Sequence, residues 1–127
     1  MNIIIFGPPG AGKGTQAQNL VNKFNLYQLA TGDLLRSEIR KNTEIGKKIK
    51  QIITQGDLVN DNIVNELLQK FITKDNFRNK IIFDGYPRNT NQAETLEVML
   101  NSDNQSINFI LFLNVTREII EKRILGR

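Results

Sequence analysis

The apolar positions change their spacing several times along the chain, and each change marks an element. Ile3-Ile4-Ile5-Phe6 is an unbroken apolar run, as a strand covered on both faces requires. A glycine-rich turn follows, and then Ala17, Leu20, Val21 and Phe24 recur at helical spacing, which predicts one apolar face of a helix over 13–23. Tyr27 to Ala30 reads as a second short strand. Next come helices with no strand between them. The first covers 33–41. The second is capped by Thr43, turns Ile45, Ile49, Ile52 and Ile53 inward and ends at Gly56. The third is capped by Asn60 or Asp61 and carries Ile63, Val64, Leu67, Leu68 and Phe71 on one side. Residues 80–83 form another buried strand that stops at Asp84-Gly85. A helix over 91–100, a polar loop over 101–106, the strongest strand over 107–115 and a last helix capped by Thr116 complete the pattern.

Strands that alternate with helices and are apolar throughout imply an α/β fold with a parallel sheet and right-handed crossovers. In such sheets ligands bind at the carboxyl ends of the strands. Three of the four predicted ends carry unusual polar sequence: Gly7 to Thr15, Thr31-Gly32-Asp33, and Asp84-Gly85-Tyr86-Pro87-Arg88.

Composition narrows the chemistry. At 127 residues, with 39% hydrophobic and 24% charged positions, the chain suits one globular domain with a modest core. It has no Cys and no His, which removes disulfides, thiolate nucleophiles, imidazole acid–base catalysis and the usual transition-metal ligands. No apolar run is long enough for a membrane span, and Met1-Asn2-Ile3 lacks a basic leader. The expectation is a cytoplasmic protein without a membrane partner. The 17 Lys and Arg outnumber the 13 Asp and Glu, but they are dispersed. With no basic block and no aromatic-basic stacking pattern, a nucleic-acid partner is not expected. Small anionic substrates account for the excess equally well.

Gly7-Pro8-Pro9-Gly10-Ala11-Gly12-Lys13-Gly14-Thr15 lies between a strand and a helix, the setting a phosphate-binding loop requires. Glycines let successive N–H groups turn inward on an anion, the helix N-terminus adds partial positive charge, and Lys13 adds a full one. The strict pattern places Ser or Thr directly after the lysine. Here Gly14 intervenes and Thr15 follows. Ile81-Ile82-Phe83-Asp84 places a carboxylate at a neighbouring strand end, where it can hold Mg²⁺ through water. An Asp in that place is by itself an ordinary turn residue; the loop beside it gives it chemical meaning. Arg36 and Arg88 follow strand ends, and guanidinium forks suit phosphate oxygens. Arg123 and Arg127 sit on or beyond the last predicted helix. Arg40, Arg78 and Arg117 read as solvated surface. Phosphoryl transfer works by positioning and charge neutralisation and needs neither His nor Cys. The guanine-reading Asn-Lys-x-Asp of GTPases is absent, since Asn79-Lys80 is followed by Ile81-Ile82.

The stretches GPPGAGKGTQA, LATGDLLR, QGDLV, FDGYPRNTNQAE and RILGR resemble, in order and spacing, the adenylate kinases of the nucleoside-monophosphate kinase family. The resemblance implies a parallel-sheet core of P-loop NTPase type over 1–30 and 60–127. It implies a helical monophosphate-binding insert over 31–59, and a lid beginning at about 126. It implies reversible Mg²⁺-dependent phosphoryl transfer from ATP to AMP, giving two ADP. In the same terms Gly10, Ala11, Gly12, Lys13, Gly14 and Thr15 wrap the ATP phosphates, Arg123 stacks on the ATP adenine, and Arg127 reaches its phosphates. Thr31 and Arg36 hold AMP. The main chain of Asp57, Leu58 and Val59 lines its adenine pocket. Gly85, Tyr86, Pro87 and Arg88 contact AMP, with Arg88 near the transfer path. Gln92 bonds the adenine edge, its amide donating and accepting together as a purine requires. Asp84 and Asp33 order the water around Mg²⁺. The catalytic set is then Lys13, Arg88, Arg123 and Arg127.

In the family, Gly126-Arg127 opens the lid, and a further core strand, a helix and two more phosphate-binding arginines follow. The 127 residues thus correspond to about three-fifths of a complete member, truncated before the lid and the last core strand. By themselves they are expected to bind AMP weakly and to turn over poorly, while a complete chain is expected to be a monomer. Two alternatives stand beside this reading: a nucleotide-binding core fragment without catalysis, and a kinase of the UMP/CMP type, which shares the loop and the Asp-Gly-aromatic-Pro-Arg segment.

Overall fold

A computed structural model describes residues 1–8 and 12–113. Four strands, β1 (Ile3–Phe6), β2 (Tyr27–Ala30), β3 (Ile81–Asp84) and β4 (Phe109–Phe112), alternate with five helices. The helices are α1 (Lys13–Phe24), α2 (Thr31–Lys41), α3 (Glu44–Thr54), α4 (Asp61–Ile72) and α5 (Thr90–Ser102). The strands form one sheet in the order β2-β3-β1-β4, every neighbour parallel. The α/β class expected from strand–helix alternation is what the chain adopts.

The apolar strands are sorted onto two faces by the two-residue period of extended chain. Ile4, Leu29, Ile81 and Phe83 point one way, onto Val64, Leu68 and Ile72 of α4 and Leu96, Met99 and Leu100 of α5. Ile3, Ile5 and Ile82 point the other way, onto Ala17 of α1 and Leu26. Helices therefore cover both faces, which is why β1 and β3 tolerate no polar side chain before their carboxyl ends. Ile81, Ile82 and Phe83 are completely buried, each contributing about 1.5–3 kcal/mol of transfer free energy. A third cluster joins Ile49 of α3 to Ile63 and Leu67 of α4, with Leu34, Leu35 and Ile39 of α2 against it.

Several boundaries differ from expectation for local reasons. The first of the three consecutive helices begins at Thr31 rather than 33, because β2 runs through the extended Ala30 straight into α2. Ile53 does not face inward; it is 49% exposed on the outer side of α3. Of the two caps expected for α4, Asn60 takes the role, its side chain accepting from Ile63 N–H at 3.1 Å. Asn89 caps α5 in the same way, and the helix runs through Asn101 and Ser102, which the sequence pattern assigned to a loop. Gln105, in that same polar stretch, is buried: it accepts from Asn2 Nδ2 and Asn79 N–H and donates to the Ile72 carbonyl. The last strand covers Phe109–Phe112, while Asn108 spends its Oδ1 on Asn2 N–H at 2.8 Å. Residues 114 and 115 and the helix expected after Thr116 lie outside the described residues.

Candidate active site

Because β2, β3 and β1 lie side by side and point the same way, the three polar strand ends emerge on one edge of the sheet. At the end of β1 the chain turns at Gly12, whose φ of 83° lies in the left-handed region that costs glycine nothing. Helix α1 starts at the next residue with no side-chain cap and no acid in its first turn. Helices α3, α4 and α5 are each capped by a side chain, Thr43, Asn60 and Asn89. Helix α2, which follows Ala30, has no side-chain cap either; at α1 no described side chain caps the first N–H groups, which lie in the field of the helix dipole. Lys13 stands at this terminus, and its Nζ lies 2.6 Å from Asp84 Oδ1 at the end of β3. The other carboxylate oxygen, Oδ2, accepts from Gln28 Nε2 of β2 at 2.9 Å. One carboxylate at the end of β3 thereby joins the start of α1 and the strand β2. Gly14 and Thr15 are exposed in the first turn, and a Cβ added at Gly14 would meet nothing among the described residues. Gly10 and Ala11 of the loop, and Arg123 and Arg127 near the C-terminus, lie outside the described residues.

The end of β2 leads into Thr31, half-buried at the start of α2. One turn on, Arg36 pairs with Asp33, both exposed. Asp33 is thus engaged within α2, and it makes no hydrogen bond that joins it to Asp84. Between α3 and α4, Asp57 and Leu58 are exposed, Leu58 to 94%, while Val59 packs into the core beneath them. Asp57 N–H caps the Ile52 carbonyl of α3.

Several hydrogen bonds hold the segment after β3. Gly85 takes a φ of 80°, the Tyr86–Pro87 bond is cis, and Arg88 folds back so that its Nε donates to the Gly85 carbonyl at 2.8 Å. Tyr86 is buried, and its hydroxyl donates to Asn65 Oδ1 at 3.1 Å, with the Gln92 carbonyl at 3.5 Å. Burial, and then the nearby Asp61 carboxylate, push the phenol up to about 12. Gln92 sits in the first turn of α5. Its Oε1 accepts from Arg88 N–H at 2.7 Å, and its Nε2 donates to Asp61 Oδ1 at 3.2 Å.

Among the residues singled out in the sequence and described here, three groups stand out, with Asp57, Leu58 and Val59 apart from them between α3 and α4. Lys13 and Asp84 are in contact; Tyr86, Pro87, Arg88 and Gln92 form one connected unit; Thr31, Asp33 and Arg36 share the start of α2. Sequence reasoning overlooked Gln28, Asp61 and Asn65. Gln28 is a polar residue inside a four-residue strand, a signal that was present. Asp61 was weighed only as a helix cap, and Asn65 interrupts the apolar side of α4 without a motif of its own. Among the described residues no group of three or more carboxylates gathers into a metal cage. None of the described helices is long and apolar enough to cross a membrane. A cleft of about 650 Å³ opens between β2, α2 and α4, with Tyr27, Gln28, Asp33, Phe71 and Phe77 in its lining; Lys13, Asp84 and Arg88 do not line it.

The sequence matches the family described as adenylate kinase over residues 5–126. It is 58% identical over its whole length to an adenylate kinase of Pelagibacter ubique, covering 60% of that protein. It is 46% identical to one of Mycoplasma capricolum, covering 59%, and 42% identical to one of Methanosarcina mazei, also covering 59%. The chain thus spans about three-fifths of the length of the curated relatives it matches. With a family match over nearly every residue, and a glycine-turn lysine resting on the aspartate of the adjacent parallel strand, the chain belongs to the adenylate kinase family.

Proposed function

We propose that the protein transfers a phosphoryl group reversibly from ATP to AMP, giving two ADP, and that the 127 residues supply the monophosphate site and part of the ATP site. The observation that carries this reading is that α1 has no side-chain cap and that its first residue, Lys13, is paired with Asp84. An entering polyphosphate exchanges one acidic partner of Lys13 for another and meets N–H groups that no described side chain caps. Gly10 through Thr15 wrap that polyphosphate. Arg123 and Arg127 complete the ATP side.

On the monophosphate side, Thr31 and Arg36 approach from α2, Asp57 to Val59 from the segment before α4, and Gly85 to Arg88 from the end of β3. For Arg36 this means leaving Asp33, an exposed pair that is cheap to break. Arg88, anchored by one nitrogen to its own turn, keeps its remaining donors for phosphate oxygens. Gln92 meets the base. Two of its four hydrogen-bonding positions are taken by Arg88 and Asp61, which leaves one donor and one acceptor.

The donor set also fits a hydrated Mg²⁺. Asp84 offers carboxylate oxygens at the strand end beside the loop, each with a lone pair beyond those used by Lys13 and Gln28, and the exposed Thr15 hydroxyl stands on α1. Mg²⁺ favours oxygen donors and keeps several waters. Asp84, with Asp33 if its pair with Arg36 opens, would hold the ion through water. The ion would supply neutralisation of phosphate charge.

The test is ADP formation from ATP and AMP by the full-length gene product. Arg88→Ala is expected to lower turnover by about 10³-fold with the fold intact by circular dichroism. The 127 residues alone are expected to bind AMP weakly and to turn over far more slowly than the full-length product. Unchanged turnover in Arg88→Ala, or no ADP from the full-length protein, contradicts the proposal.

A further inference from the structure

Asp61 and Asn65 stand one turn apart on the same face of α4, as residues four apart on a helix do. Both reach the segment that follows β3. Asn65 takes the Tyr86 hydroxyl at 3.1 Å, and Asp61 takes Gln92 Nε2 at 3.2 Å. The orientation of the Gln92 amide is fixed by chemistry on both sides. An ionised carboxylate can only accept, and a backbone N–H can only donate. Asp61 therefore requires the amide nitrogen on its side, and Arg88 N–H requires the amide oxygen on the other. The two demands are independent, and they agree. Because Asn60 supplies the cap of α4, the Asp61 side chain is released from that duty.

We infer that Asp61 is a positioning residue for base selection: by holding one N–H of Gln92 it fixes which way that amide faces a bound nucleobase. This rests on the reading that Gln92 meets the base. Adenine presents an acceptor at N1 and a donor at its exocyclic amine. Hypoxanthine presents the same two sites with donor and acceptor exchanged. An amide held in one orientation suits the first and leaves mismatched groups against the second, and such mismatches are what make a polar pocket selective. Turning the amide over to suit hypoxanthine would face a nitrogen to Arg88 N–H and an oxygen to Asp61, two clashes at once. With Asn at position 61 only the first clash remains.

The experiment is calorimetric titration of AMP and of IMP into the full-length gene product and its Asp61→Asn, Asp61→Glu, Gln92→Ala and Asp61→Asn/Gln92→Ala variants. The wild type is expected to prefer AMP by about tenfold or more. Asp61→Asn is expected to narrow that preference about three- to tenfold, and Asp61→Glu, which keeps the acceptor, to restore most of it. In the Gln92→Ala background the preference is expected to be gone, with Asp61→Asn adding nothing further, the non-additivity of two residues acting as one unit. If Gln92→Ala abolishes the preference but Asp61→Asn leaves it whole, Asp61 has no part in selection and the inference fails alone. If Asp61→Asn weakens AMP and IMP alike, with or without Gln92, its role is structural and the inference fails. If Gln92→Ala leaves the preference intact, the reading of Gln92 fails and takes the inference with it.

Discussion

Lys13, Asp84 and Gln28 show how much one carboxylate can organise. Asp84 ends a strand whose preceding residues are completely buried, so its side chain is the first polar group free to leave the sheet, and it meets the cation of the adjacent strand's helix at 2.6 Å. Lys13 and Asp84 were legible because each follows an apolar run at a fixed distance. Asp61 was not, because its partner Gln92 lies 31 positions away and only the packing of α4 beside α5 brings them together. Tyr86 offers a test at this scale. Its phenol is held near 12, above its ordinary value of 10, so the folded state binds the proton more tightly than the unfolded one. Its contribution to stability is complete below pH 10 and is lost as pH rises from 10 to 12. Tyr86→Phe should remove about 1–2 kcal/mol of that alkaline loss, seen by comparing urea midpoints of variant and parent at pH 9 and pH 11.5. Equal alkaline slopes in the two proteins would contradict the assignment.

At the scale of elements, the strands and helices were legible wherever apolar spacing was regular, and the ends were legible where a cap was local, as at Thr43, which accepts from Gly46 N–H at 3.0 Å. The chain is rich in Asn, and the structure gives several of these residues a backbone role. The structure places Asn25, Asn42, Asn79 and Asn104 at positive φ, and Asn25 and Asn42 end α1 and α2. Asn is one of the few residues other than glycine that enters this region readily. Gly46 has a different role, which spacing could not reveal. It is buried in the first turn of α3, where any Cβ would collide with the Glu38 carbonyl of α2. Gly46→Ala should force α2 and α3 apart, at about 2–4 kcal/mol by urea unfolding, and should weaken AMP binding because α2 carries Thr31 and Arg36. A stability change below about 0.5 kcal/mol would mean that the two backbones are not held at this distance.

For the whole molecule, the parallel sheet with helices on both faces follows from short, wholly apolar strands separated by helical segments. Strand order did not follow from the sequence. It depends on which apolar faces meet, and it is the order β2-β3-β1 that brings three polar strand ends to one edge. The strand β4, at the far side of β1, has Phe109, Ile110 and Phe112 more than half exposed among the described residues. The central claim is that the phosphates of two nucleotides converge on this one edge, between Lys13 and Arg88. Calorimetric titration of the full-length gene product with two adenosines joined through five phosphates tests it most directly. One molecule is expected to bind per chain, with affinity falling at least about 100-fold in both Lys13→Ala and Arg88→Ala. No heat from folded protein, two molecules bound per chain, or undiminished affinity in either variant would contradict it.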